Sequence, residues 1–205
     1  MFDGVPMIYQ GQEQHLTGAT TPQNREALWL TGYNNETVLY KLIANLNAIR
    51  KHAYKLDNEY VTLPTHTVYQ GSSELAFSKG VEGHQVVMVL STQGTKSSPY
   101  DLNLPVTYNA GTAVTEVLNC KSYMVNGNGL LTVDMNKGEP RVFFPTQLMN
   151  GSGLCGYSSD NISYTTLVTG TNSTSRSLAV NEKGVANHVL PIVLLVAVLT
   201  GLGLI

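Results

Sequence analysis

One stretch near the start of the chain carries most of the information about architecture: Gly4-Val5-Pro6-Met7-Ile8-Tyr9-Gln10-Gly11-Gln12-Glu13-Gln14-His15. Its apolar part, residues 5–9, is bounded by Gly/Pro on one side and by Gly11 on the other, which predicts a short strand. A strand that is apolar at every position is buried on both faces, as parallel strands covered by helices are. Polar residues 12–15 then lie on the loop after the strand, the edge at which α/β barrels bind ligands.

An amphipathic helix is predicted next. Asn34 or Asn35 can cap a helix that runs to about His52. Its apolar side chains recur at spacings of three and four and form one stripe, which consists of Leu39, Leu42, Ile43, Leu46 and Ile49. The last outer helix of a barrel needs such a stripe to pack against its sheet. A shorter helical turn is predicted over residues 24–30.

From residue 57 onward the apolar period changes to two. Eight short candidate strands, the first at residues 60–63, are separated by turn sequences such as Glu82-Gly83 and Asn126-Gly127-Asn128-Gly129. This pattern predicts an antiparallel sandwich with Greek-key connections. Roughly 90 residues are enough for an independent core, so residues 57–148 are assigned to one all-β domain.

Several of these segments resemble α-amylases of the (β/α)₈ glycoside hydrolase family, most closely the filamentous-fungal type. The resemblance covers roughly residues 1–157 and takes the opening stretch as the eighth barrel strand. It continues through Asn24-Arg25-Glu26-Ala27-Leu28-Trp29-Leu30-Thr31-Gly32-Tyr33, Leu39-Tyr40-Lys41-Leu42-Ile43-Ala44, Thr115-Glu116-Val117-Leu118-Asn119-Cys120 and Pro140-Arg141-Val142-Phe143-Phe144-Pro145. It implies an α+β fragment, in which residues 1–56 are the last βα unit of a TIM barrel and residues 57–148 are the family's C-terminal β-domain. Seven further βα units are then expected before Met1.

The C-terminal quarter differs in composition. Residues 149–188 are rich in Ser, Thr, Asn and Gly, which predicts a disordered, glycosylated stalk. Residues 189–205 are uncharged and apolar, and as an upright helix they span about 25 Å, less than the ~30 Å hydrocarbon core. A polar spacer precedes them and no basic residue follows, which favours a glycolipid (GPI) attachment signal over a membrane tail anchor or a buried helix. Candidate attachment residues are Ser175 and Ser177.

Cysteine and asparagine patterns indicate a secreted glycoprotein. Four N-x-[ST] acceptors occur, at Asn35, Asn150, Asn161 and Asn172. Together with two cysteines, Cys120 and Cys155, they favour one disulfide, and the resembling enzymes have a bridge at this place. The predicted location is the cell surface or cell wall, held by the GPI anchor. Because the chain opens without a secretion signal, we interpret Met1 as an internal methionine of a longer protein or the start of a truncated gene model.

Candidate catalytic carboxylates are few. Retaining glycosidases use two carboxyl groups about 5–5.5 Å apart, and the candidates here are Glu13, Glu26 and Asp3. A structural role is favoured for each, since Asp3 precedes the predicted strand and Glu26 lies in the first turn of a predicted helix. The resemblance implies that the catalytic carboxylates, and the calcium site of the full-length family member, belong to segments before Met1. No catalytic residue and no metal ligand is therefore assigned to this chain.

Arg25 is the one candidate substrate-binding residue. The resemblance places it at the arginine of an Asp-Pro-x-x-Arg run that contacts glucose units, while Thr21 replaces the aspartate. A lost charged hydrogen bond typically costs roughly 1.5–3 kcal/mol, so we expect weakened or altered glucan binding. The alternative for Arg25 is a capping or ion-pairing role. For the aromatic residues Trp29, Tyr33 and Tyr40, core packing is favoured over sugar stacking.

The sequence as a whole predicts part of an α-amylase-like glycosidase that acts on α-1,4-glucans in starch or the cell wall. Its expected partners are α-glucan, the N-terminal barrel of the parent enzyme and, through its tail, a membrane. As a separate polypeptide it is predicted to be inactive. The alternative is a non-catalytic, surface-anchored β-domain that binds glucan or is structural. A net charge of −2 gives no basic footprint for nucleic acid.

Overall fold

The computed structural model of the protein describes residues 2–159. Residues 5–9, the predicted barrel strand, pair with no other strand among these residues and are exposed: the exposed fraction is 87% for Val5 and 89% for Met7. A strand exists only through hydrogen bonds to a neighbour, and no described strand lies alongside. The strand is therefore not formed here, and the assignment of residues 1–56 to a barrel unit stays a prediction.

Two short 3₁₀ turns, Gln23–Arg25 and Leu28–Thr31, replace the helical turn predicted over residues 24–30. The residues between them, Glu26 and Ala27, have ψ angles of 140° and 125°. These extended conformations interrupt the helical hydrogen bonds, so the segment turns twice instead of forming one continuous helix.

Helix α1 spans Val38–Leu56 and begins later than predicted. Its N-cap is Thr37, whose backbone is extended and whose hydroxyl accepts a hydrogen bond from the Tyr40 N–H at 3.2 Å. Asn34, one of the predicted caps, closes the preceding turn by accepting a hydrogen bond from the Glu36 N–H at 2.9 Å. The helix therefore has the predicted stripe but a different N-terminus.

A 3₁₀ turn at Asn58–Val61 occupies the place of the first predicted strand, residues 60–63. The Asp57 side chain accepts a hydrogen bond from the Glu59 N–H at 3.1 Å and so initiates the turn. Tyr60 is buried by this turn, with 1% of its surface exposed. The apolar character of the segment therefore reflects a packed turn, and the strand prediction here is wrong.

Within the described part of the chain, eight strands follow and form two antiparallel sheets. The larger sheet has the order β1-β2-β3-β8-β5-β6 and the smaller pairs β4 with β7. The strands are β1 His66–Gln70, β2 Glu74–Lys79, β3 Val86–Ser91, β4 Tyr100–Pro105, β5 Ala113–Glu116, β6 Lys121–Met124, β7 Leu130–Met135 and β8 Arg141–Pro145. The predicted antiparallel sandwich is confirmed, although β6 had not been anticipated.

The larger sheet is covered on both faces. One face packs on the small sheet through a core that includes Val87, Leu104, Leu131 and Phe143. The other face packs on the end of α1. There, Ile49 and Ala53 form a core with Val86 and Met88 of β3 and with Val142 and Phe144 of β8. The central strands β3 and β8 are consequently apolar at consecutive positions, because successive side chains enter different cores.

Candidate functional site

A cleft of about 810 Å³ lies near the start of the chain. We call it the N-terminal cleft. It is lined by residues of three segments: Tyr9, Gln10, Gln12, His15, Leu16 and Gly18 from the opening stretch, Asn24, Arg25, Glu26, Ala27 and Trp29 from the two 3₁₀ turns, and Leu39 from α1. Some of the residues on which the family resemblance rests, those of the opening stretch and of the 24–29 segment, thus line this cleft.

A tight turn follows residues 5–9 within the opening stretch, and Gln12 and Leu16 of this turn line the cleft. Gly11 has a φ of 82°, in the left-handed region, and a Cβ at this position would lie 2.1 Å from the Cδ1 of Leu16. Only glycine fits there without moving Leu16. The Leu16 N–H donates to the Gly11 carbonyl at 3.1 Å, and the Gln12 N–H donates to the Tyr9 carbonyl at 3.0 Å.

The same loop is fastened to the start of α1. The Thr37 hydroxyl donates to the Glu13 carbonyl at 2.6 Å, and the Gln14 side-chain amide donates to the Asn34 carbonyl at 3.0 Å. Glu13 therefore contributes its backbone to this junction, and it does not line the N-terminal cleft. Thr37 joins loop and helix because its hydroxyl donates to the loop and accepts from the first helical turn.

Arg25 lies at the end of the first 3₁₀ turn, exposed and on the wall of the cleft beside Glu26. Its backbone N–H donates to the Pro22 carbonyl at 3.0 Å, which fixes where the side chain emerges. A guanidinium in an open cleft can donate several hydrogen bonds to hydroxyl groups. Glu26 is the one carboxylate among the lining residues, so these residues cannot supply the pair that a retaining glycosidase uses.

The aromatic residues assigned to core packing are exposed in the described chain. The exposed fraction is 69% for Trp29, 63% for Tyr33 and 40% for Tyr40. Trp29 borders the N-terminal cleft. The expectation of a packed core here is not met within residues 2–159, because the described elements cover only the other end of α1.

Asp3 lies away from the cleft, against the β-domain. Its carboxylate accepts hydrogen bonds from the Thr65 N–H at 3.1 Å, the Thr65 hydroxyl at 2.8 Å and the Lys79 ammonium at 2.6 Å. The hydrogen bond from Lys79, followed by those from Thr65, lowers the pKa of Asp3 to about 2. The Lys79 side chain is buried, with 4% of its surface exposed. These contacts are those of a structural ion pair.

Glu116 is a buried carboxylate that sequence reasoning missed. It is fully buried, and its oxygens accept hydrogen bonds from the backbone N–H groups of Leu118 at 3.1 Å, Asn119 at 2.7 Å and Val142 at 3.1 Å. It thereby holds the turn before Cys120 and ties it to β8. The Thr115–Cys120 segment was singled out by resemblance, but nothing in the sequence announces a partner 26 residues away.

The two cysteines form the predicted disulfide. Cys120 and Cys155 are bonded, with their Cα atoms 5.1 Å apart. Among the predicted glycosylation sites, Asn35 and Asn150 are exposed. Asn161, Asn172, Ser175 and Ser177 lie outside the described residues.

Residues 2–159 contain neither a cluster of metal-ligating side chains nor a membrane-spanning helix. This part of the chain brings together no group of three or more His, Cys, Asp or Glu side chains that could hold a metal ion. No helix within residues 2–159 is both long and apolar enough to cross a membrane.

Comparison with known proteins gives one consistent family. Residues 67–163 match the family model for domain C of α-amylase. The chain is 38% identical over 154 residues to α-amylase 1 of Schwanniomyces occidentalis, covering 75% of this chain and 30% of that protein. It is 46% identical over 154 residues to α-amylase 1 of Lipomyces kononenkoae, covering 75% of this chain and 25% of that protein.

The fold comparison agrees. An α-amylase structure from Malbranchea cinnamomea superposes with a TM-score of 0.70 at 45% identity, covering 75% of this chain and 32% of that one. The chain thus spans about 30% of the length of the curated relatives it matches. Family model and superposition agree on the β-sandwich, and residues 67–163 belong to the family of C-terminal domains found in fungal-type α-amylases.

Proposed function

We propose that the chain is the C-terminal part of an α-amylase-like glycoside hydrolase that acts on α-1,4-glucans, with residues 1–56 as the last βα unit of its barrel. The observation that carries the proposal is the extent of the similarity. Alignments of 154 and 157 residues are too long to fit within the 67–163 range of the domain C match. The likeness to α-amylases therefore continues outside the β-domain.

The exposed apolar surface of the N-terminal segments supports the same proposal. Val5, Met7, Trp29 and Leu30 each expose more than two thirds of their surface, and large contiguous apolar patches mark surfaces that are covered in a larger structure. We propose that the preceding barrel units cover this surface. Residues 5–9 would then gain the neighbouring strands that they lack in the described chain.

In this proposal the N-terminal cleft binds the glucan and does not cleave its glycosidic bond. Arg25 donates hydrogen bonds to glucose hydroxyls, and Thr21 supplies no carboxylate beside it. The nucleophile and the acid/base come from the preceding barrel, since two carboxyl groups are required and the lining residues include one. By itself the chain is inactive. Calcium of the complete enzyme is assigned to segments before Met1.

A chimera tests the proposal. In the Malbranchea cinnamomea α-amylase, the matching C-terminal part is replaced by residues 2–159, and starch hydrolysis is compared for the chimera, the parent, the truncated parent and this chain alone. We expect activity from the chimera and the parent and none from the other two. A folded but inactive chimera, or hydrolysis by this chain alone, would contradict the proposal.

The substrate contact is tested in the same chimera. Replacing Arg25 with Ala should raise KM for short maltooligosaccharides, because a desolvated charged hydrogen bond is worth roughly 1.5–3 kcal/mol. Thr21→Asp should lower it, since it restores the carboxylate of the family's motif. A KM that is unchanged in both variants would assign Arg25 to a structural role.

A non-catalytic glucan-binding module is the second candidate. It is favoured by the sandwich, which has its own buried core between the two sheets and its own disulfide. Co-sedimentation of the chain with insoluble starch separates the candidates: retention by this chain alone supports the module, and retention only by the chimera supports the enzyme part.

We further propose that the protein is anchored at the cell surface. The support is compositional: the uncharged apolar residues 189–205, the polar spacer and the four glycosylation motifs. Release of the chain from yeast cells by a phosphatidylinositol-specific phospholipase tests this. Resistance to the phospholipase together with extraction by detergent would indicate a protein tail anchor instead.

A further inference from the structure

The glycosylation motif at Asn150 lies between two core residues. Met149, directly before it, is fully buried, and Leu154 exposes 7% of its surface. Both belong to the core between α1 and the larger sheet. Asn150 itself is exposed, so the folded protein has room for a glycan at this position. The residues on either side of it are nevertheless fixed by packing.

The hydroxyl of the motif is hidden. Ser152 exposes 8% of its surface, and its hydroxyl oxygen accepts a hydrogen bond from the Leu154 N–H at 3.1 Å. The backbone N–H groups around Ser152 are also hydrogen-bonded. The N–H groups of Gly151 and Gly153 both donate to the Ser158 carbonyl, at 2.9 and 3.1 Å, and the Ser152 N–H donates to the Met149 carbonyl at 3.1 Å.

The disulfide closes this arrangement covalently. Cys155 follows Ser152 by three residues and is bonded to Cys120, 35 positions earlier, at the turn between β5 and β6. Local unfolding of residues 150–159 would therefore disrupt the core packing of Met149 and Leu154. The disulfide also limits how far this segment can move from the domain. Bridges of this kind form in the oxidising compartments in which N-glycans are added.

The transfer chemistry needs the hidden hydroxyl. The motif accepts only Ser or Thr at its third position, so the transferase must contact that side chain. The Asn150 amide nitrogen forms a bond to the anomeric carbon of a lipid-pyrophosphate-linked oligosaccharide. The bond from that carbon to the pyrophosphate oxygen breaks, the lipid pyrophosphate leaves with the electron pair, and the amide nitrogen loses one proton.

We propose that Asn150 accepts its glycan efficiently only before the Cys120–Cys155 bridge closes. Modification first leaves a folded protein with an exposed glycan, whereas bridge closure first leaves Asn150 largely unmodified. The bridge thus sets a time limit on this one site. Asn35 provides an internal reference, because its motif hydroxyl, on Thr37, is bound to Glu13 and Tyr40 but is not enclosed by a disulfide.

An in vitro transfer assay tests the order of events. Purified oligosaccharyltransferase and lipid-pyrophosphate-linked oligosaccharide are given the full chain with its bridge intact, the C120S/C155S full chain, and a 145–159 peptide carrying Cys155→Ser as an unfolded acceptor. Ser122→Ala, an exposed change on β6 that leaves the bridge intact, serves as the matched control, and Asn150→Gln identifies the signal. Glycopeptide mass spectrometry measures Asn150 and Asn35 separately.

We expect transfer to Asn150 of the bridged chain and the Ser122→Ala control to be about tenfold slower, or more, than to the C120S/C155S chain, since it requires local opening. The peptide should be modified readily, and Asn35 should differ little between the two chains. Equal rates at Asn150 with and without the bridge would overturn the proposal. So would a peptide or a cysteine variant that is not modified at all.

Discussion

Asp3 and Lys79 form the contact through which the start of the chain is held on the β-domain. Lys79 is buried, and its ammonium donates to Asp3 at 2.6 Å and to the Leu63 carbonyl. Phe2 adds an edge-on contact with Phe77, with ring centroids 4.7 Å apart. Because a buried ammonium without its carboxylate is costly, the pair is expected to behave as a unit.

A double-mutant cycle tests this coupling. Asp3→Asn should destabilise the chain, since it leaves the Lys79 charge buried and uncompensated, while Lys79→Met alone should cost less. In the double variant the effect of Asp3→Asn should largely disappear. Urea unfolding of the four proteins measures it. Strictly additive changes would show that the two side chains do not depend on each other.

The same pair predicts a pH dependence. The pKa of Asp3 is lowered from 3.8 to about 2, so its contribution to stability is fully present above about pH 4 and is lost as the pH falls through about 2. Unfolding of the wild type and of Asp3→Asn is compared between pH 5 and 2. The difference between them should shrink toward pH 2, and a difference that is constant with pH would contradict the assignment.

Glu116 gives a third test at the residue scale. In Glu116→Gln one of the two acceptor oxygens becomes an amide donor that faces backbone N–H groups, so we expect a loss of about 1–3 kcal/mol in the free energy of unfolding. Glu82→Gln, on an exposed loop, is the matched control and should change stability by less than about 0.5 kcal/mol. Equal effects of the two changes would mean that Glu116 is not a structural acceptor.

At the scale of elements, α1 connects the two halves of the described chain. Its last turns bury Ile49 and Ala53 against the larger sheet, while its first turn binds the loop of the N-terminal cleft through Thr37. The apolar stripe predicted for a barrel is therefore divided, with one end on the β-domain and the other half-exposed.

The cap of α1 can be tested directly. Thr37→Ala removes both the helix cap and the hydrogen bond to Glu13, and should destabilise the first turn by about 1 kcal/mol. Hydrogen exchange should become faster at the Tyr40 amide and in residues 13–16. Thr37→Ser retains the hydroxyl and should exchange like the wild type. Faster exchange at Tyr40 alone would show that the loop is held independently of the cap.

At the scale of the whole molecule, the single tryptophan reports on the uncovered N-terminal surface. Trp29 is the one tryptophan in the sequence, and 69% of its surface is exposed. The purified chain should therefore show tryptophan emission close to that of its unfolded state and should be readily quenched by acrylamide. Emission at shorter wavelength that is independent of protein concentration would contradict the described exposure. Emission that shifts with concentration would indicate self-association through the apolar surface.

The sequence by itself determined the β-domain. Alternating apolar residues and turn dipeptides are local signals, and two cysteines admit only one disulfide pairing. The sequence also located α1. Only the tertiary structure decided where α1 packs, that residues 60–63 form a turn, and that Lys121–Met124 is a strand. The edge strand β6 buries too little apolar surface to leave a pattern. Glu116 and the Asp3–Lys79 pair could not be predicted for a different reason. Their stabilising contacts join groups that are far apart in sequence, which no local periodicity encodes.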